Sequence, residues 1–131
     1  MEKRAIAVLA LVSGAFLVAC GGAPPPTPTS APVGDPAKGR EVYEAQACAA
    51  CHMINGQGGT VGPDLSHVGT EGATRKPGVP AADYIRESIL DPDAFVVEGF
   101  SAGLMPRNFG DRLSERELND LIAYLLSLQG R

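Results

Sequence analysis

Tryptophan is absent from the 131 residues, aromatics make up only 5%, and there are two histidines. A core built from the chain's own large rings is therefore thin. Three cysteines are too few for a disulfide framework. No apolar run reaches the roughly 20 residues needed to cross a bilayer comfortably; the longest, Ala5 to Val18, has about 14. Basic residues number 11 against 15 acidic ones, for a net charge of −4. That balance excludes the concentrated positive surface that nucleic acid requires. There is no internal repeat.

What is present begins with a short basic lead, Lys3 and Arg4, ahead of that apolar run. A charged lead, a short apolar stretch and then small residues is the layout of a signal peptide, residues 1–19; an uncleaved anchor helix is the alternative. Leu17-Val18-Ala19-Cys20 resembles the lipobox of bacterial lipoproteins. The resemblance implies that Cys20 becomes the first mature residue and carries a diacylglycerol, rather than being a small buried residue. Two or three acyl chains, each adding about 0.8 kcal/mol per buried methylene, anchor far better than one. The expectation is an exported protein, held through Cys20 on the outer face of the cytoplasmic membrane or facing the periplasm. Removing residues 1–19 takes away Glu2, Lys3 and Arg4, one acid and two bases, so the net charge of −4 becomes −5.

Residues 20–35 read as a lipidated cysteine and a tether. Pro24, Pro25, Pro26, Pro28 and Pro32 preclude a helix and favour extended polyproline II at about 3.1 Å per residue. Residues 36–131 form the one folded domain. Asp35-Pro36 is an N-cap followed by proline at the first helical position, and predicts a helix to about Ala47. A loop rich in glycine follows, around Gly56, Gly58, Gly59 and Gly62, without periodicity. A helix over Ala81–Leu90 places Ala81, Ile85 and Ile89 on one face and stops at Asp91-Pro92. Asp93 to Asp111 reads as irregular. Ser114 and Glu117 form a capping box ahead of the apolar stripe Leu118, Leu121, Ile122, Leu125 and Leu128. No convincing strand is seen. The fold class is all-α, three to four short helices and long loops, with a core too thin to stand without something filling its middle.

Cys48-Ala49-Ala50-Cys51-His52 is the C-x-x-C-H signature of covalent haem attachment. Its two thiols add across the haem vinyl groups, and the adjacent histidine serves as proximal iron ligand. A thioredoxin-like dithiol would want a surrounding βαβ pattern, and zinc would want four ligands. Beyond Cys48, Cys51 and His52 only His67 offers itself for zinc. For the sixth iron ligand, Met53 is bonded directly to His52 and cannot reach the other face. Met105, in Gly103-Leu104-Met105-Pro106, sits on a separate loop and is the candidate, with His67 as rival. Thioether ligation favours ferrous iron and raises the potential.

On these motifs, with Gly62-Pro63-Asp64-Leu65 and Tyr84-Ile85-Arg86-Glu87-Ser88-Ile89, residues 36–129 resemble the class I cytochromes c. They look most like the haem c domain of caa3-type oxidase subunit II and free-standing lipoprotein relatives. The resemblance implies one covalent haem c bound by Cys48, Cys51, His52, Met105 and Pro63, with His52 and Met105 on the metal. The Pro63 carbonyl would accept a hydrogen bond from the His52 Nδ1–H. It also implies a crossing of the first and last helices at Gly39, Tyr43, Leu121 and Tyr124. Two departures stand out. The tryptophan that many members place at a haem propionate is missing, leaving Arg75, Lys76 and Tyr84 as candidates. No copper-site cysteines or paired membrane helices precede the domain.

The function implied is single-electron transfer, not catalysis, by a monomer whose partners are membrane redox complexes. A quinol-oxidising complex would stand upstream and a terminal oxidase downstream. The alternatives are a fixed haem subunit of a larger complex and, with labile Met105 ligation, a haem peroxidase or gas sensor.

Overall fold

The Asp35 carboxylate caps the first helix, α1 (Pro36–Ala45), accepting from the backbone N–H of Ala37 at 2.9 Å and of Lys38 at 3.4 Å. The structure is a computed structural model that describes residues 34–130. The expected signal peptide, Cys20 and nearly all of the expected tether lie outside the described residues. The helix stops two residues short of Ala47. Gln46 closes it, and Ala47 turns left-handed at φ 55°, a conformation that ends an α-helix at once.

Cys48–Ala50 then forms a single 3-10 turn. The loop behind it holds a small hairpin that the periodicity did not reveal, β1 (Met53–Ile54) against antiparallel β2 (Gln57–Gly58). Its cause was in plain view. Asn55 and Gly56 both take positive φ, 51° and 79°, and Asn-Gly is the pair that a two-residue hairpin turn of this hand selects.

Helix α2 (Val68–Arg75) was not expected either; α3 (Ala81–Leu90) was, with the same limits. A four-residue helix, α4 (Phe109–Arg112), interrupts the stretch read as irregular. The last helix, α5 (Glu115–Ser127), begins with the capping box: Ser114 Oγ accepts from Glu117 N, and a Glu117 carboxylate oxygen accepts from Ser114 N at 2.8 Å. Bonds from the Ser114 hydroxyl, then from its N–H, hold the Glu117 carboxyl below its ordinary value. Among the described residues the fold is all-α, with five helices rather than three or four.

Helices α1 and α5 cross at close range. A Cβ built on Gly39 would lie 1.9 Å from the Asp120 carbonyl oxygen and 2.7 Å from Tyr124 Cβ, so only glycine lets the backbones meet. The Tyr43 and Tyr124 rings lock the crossing edge to face, with centroids 5.7 Å apart. Buried Asp120 accepts from Asp35 N at 2.7 Å through Oδ1, tying α5 to the cap of α1. The core continues through Val68, Tyr84, Ile85, Ile89, Phe109, Leu118, Leu121, Ile122 and Leu125. Among the described residues no helix is long and apolar enough to cross a membrane.

Candidate functional site

One apolar cavity of about 380 Å³ opens between α1, the 3-10 turn, α3, α5 and the irregular segment before α4. The turn brings three of the expected residues to its wall together. His52 N and Cys51 N both donate to Cys48 O, at 3.0 and 3.2 Å, so Cys48, Cys51 and His52 sit on one tight bend lining the cavity. Neither cysteine is in a disulfide. Burial pushes the Cys48 thiol above its ordinary pKa, which keeps it neutral in an apolar wall.

His52 is held on two sides. Its Nδ1 lies 2.8 Å from the Pro63 carbonyl oxygen. A carbonyl can only accept, so Nδ1 carries the proton and Nε2 is left with its lone pair for a metal. Gly62 lies against the ring: a Cβ there would come within 2.5 Å of Cε1. The Tyr43 hydroxyl donates to the His52 carbonyl at a long 3.4 Å, and burial and the nearby Cys48 push its pKa up to about 12.

Met105 lines the same cavity from the segment ahead of α4, half-buried against the core. His67 does not line it; it stands at the N-terminus of α2, beside Gly130. Of the propionate candidates, Arg75 and Tyr84 line the cavity, while Lys76 pairs with Glu87. Arg112 lines it too, its guanidinium 5.2 Å from the centre of the Phe109 ring. No sequence signal marks Arg112; only closure of the chain brings it there. At the mouth stand Val61, Val96, Phe100 and Leu104, 36–57% exposed.

These residues fit a haem. The walls are apolar, two free thiols and an imidazole with a fixed tautomer occupy one bend, and a thioether shares the space. They do not fit zinc, since among the described residues no group of three or more His, Cys, Asp and Glu side chains is placed to hold a metal ion by itself.

The family model described as cytochrome c matches residues 36–129. Among solved structures, the chain is similar to SoxXA from P. pantotrophus, at 24% identity and a TM-score of 0.47 over 77% of this chain and 85% of that one. No curated protein matches.

Proposed function

Since this chain belongs to the cytochrome c family, an electron-transfer family that binds haem c covalently, we propose that it carries single electrons between membrane-bound complexes. A quinol-oxidising complex would be its donor and a terminal oxidase its acceptor. When bound, haem c supplies a one-electron ferric/ferrous couple. Cys48 and Cys51 would hold it by thioether bonds, and His52 and Met105 would ligate its metal. Pro63 keeps the His52 proton on Nδ1, leaving Nε2 to the iron. The apolar lining from Leu65, Val68, Ile85, Ile89 and Leu125 excludes water. With His52 and Met105 both on the metal, a substrate would have no place there, and the reading is a carrier, not an enzyme.

The observation that carries this reading is the meeting of Met105 with the Cys48–His52 bend in one cavity. A visible spectrum of the full-length, haem-matured protein tests it, oxidised, reduced and with carbon monoxide. The expected result is a low-spin spectrum with the weak far-red methionine–iron band, unmoved by carbon monoxide. A high-spin spectrum, or ready carbon monoxide binding, would replace the carrier by a peroxidase or sensor.

The exposed apolar rim of Val61, Val96, Phe100 and Leu104 favours a second reading, a fixed haem subunit, because permanent interfaces are the more apolar ones. Gently solubilised membranes separate the two: a stoichiometric partner that survives salt would sink the mobile carrier. Anchoring through Cys20 also belongs to the proposal. Cys20→Ala is expected to move the haem protein from the membrane pellet to the soluble fraction, and a protein still sedimenting with membranes would refute the lipid anchor.

A further inference from the structure

Residues 91–108 carry Met105 and form no helix or strand, yet much of this segment lines the cavity. Its own backbone supplies only short turns, such as Ala94 N to Asp91 O and Phe100 N to Val97 O. Among the described residues, the side-chain hydrogen bonds within it all run through Asp93. Its Oδ1 accepts from Gly103 N at 2.8 Å, and its Oδ2 pairs with the Arg107 guanidinium. Those two partners stand two residues before and two residues after Met105. Gly103 takes φ 77°, and a Cβ there would meet nothing within 4 Å. The backbone turn, not crowding, selects glycine at a position whose N–H faces the carboxylate.

The pairing is lopsided in a telling way. The Arg107 side chain is 67% exposed, whereas that of Asp93 is 19% exposed and lies at the cavity wall. The Gly103 N–H, more than the solvated guanidinium, holds the Asp93 carboxyl below its ordinary pKa, so it is an acceptor at neutral pH.

We propose that Asp93 is a positioning residue for Met105, a carboxylate clamp closing the turn from Gly103 to Arg107 and setting how readily the thioether leaves the iron. The clamp rests on the reading that Met105 is an axial ligand. Its function is local. Loss of the clamp leaves the α1–α5 crossing and the His52 side of the cavity intact and lengthens the excursions of one turn.

The experiment compares wild type, Asp93→Ala, Asp93→Asn and Arg107→Gln as full-length, haem-matured proteins, well below their melting temperatures. The readouts are the far-red methionine–iron band and the rate at which carbon monoxide binds the ferrous form. A hydrogen bond to a charged group is strong enough that its loss should speed carbon monoxide binding on the order of tenfold in Asp93→Ala. Asp93→Asn keeps an acceptor but loses the charge, and should fall between Asp93→Ala and wild type. Arg107→Gln removes only an exposed ion pair and should stay within about twofold of wild type. A wild-type rate in Asp93→Ala overturns the clamp while leaving Met105 as the ligand. If Asp93→Ala yields no haem protein, Asp93→Asn decides, and a wild-type rate there overturns the clamp. A wild-type protein without the far-red band, binding carbon monoxide at once, would overturn the Met105 reading and the clamp with it. A role confined to fold stability would lower the melting temperature without moving either spectroscopic readout.

Discussion

Met105→Ala is expected to bind carbon monoxide readily in its ferrous form and to lose the far-red band while keeping its covalent haem. A ligand that must wait for a closed site to open sees its intrinsic affinity divided by the closed-to-open ratio, so a site open about 1% of the time weakens binding about a hundredfold. Alanine has no thioether, and the penalty disappears. The potential should fall as well, since thioether ligation is what favours ferrous iron. Some stability should go too, because Met105 packs on the core from a half-buried position. The outcomes are separable. Ready carbon monoxide binding in a protein that still melts cooperatively locates the effect at the iron. A spectrum identical to wild type would show that the sixth ligand is another residue, and His67 would have to be brought in from α2.

Gly39→Ala is expected to lower the melting temperature of the haem protein by roughly 12 °C or more, the size of an overpacking penalty of about 3 kcal/mol in a domain of this length. The substitution is informative because helix propensity points the other way: inside a helix, alanine is better than glycine by about 1 kcal/mol. The new methyl would sit 1.9 Å from the Asp120 carbonyl oxygen and 2.7 Å from Tyr124 Cβ. Neither is the end of a flexible side chain, so α1 itself must back away from α5. That separation loosens the Tyr43–Tyr124 ring contact and the Asp35 N–Asp120 bond. Thermal unfolding followed by the helical signal makes the test. A melting point within a few degrees of wild type, or above it, would mean that the two helices cross further apart than described.

The elements legible in the sequence are those whose cause is local. Asp35-Pro36 starts α1, the Ala81, Ile85, Ile89 spacing bounds α3, and Ser114 with Glu117 caps α5. Helix α2 has no such local cause, and it contains Gly69 and Gly72, which hold a helix poorly. Their reason is distant: a Cβ on Gly69 would stand 2.2 Å from the Leu126 carbonyl oxygen of α5, and one on Gly72 would press on Tyr84. A packing glycine and a loop glycine look alike until the partner element is in place. The end of α1 shows the same limit, since nothing about Ala47 announces a positive φ. At the site, the residues named from the sequence are those a short motif or a resemblance marks: Cys48, Cys51, His52, Pro63 and Met105. Arg112 and the Asp93 clamp carry no motif. They reach the cavity only because 18 irregular residues, 91–108, fold back between α3 and α4.

The α1–α5 crossing also dictates an order of events in time. Asp35 and Asp120 are 85 residues apart along the chain, so their contact cannot close until nearly the whole domain is present. A chain delivered N-terminus first presents Cys48, Cys51 and His52 just behind α1 while Asp120 and Tyr124 have yet to arrive. Until they do, the wall that Leu121 and Leu125 complete is missing, and both thiols stand open to whatever machinery attaches the cofactor. The last helix to be made is thus the one that completes the wall facing Cys48 and Cys51.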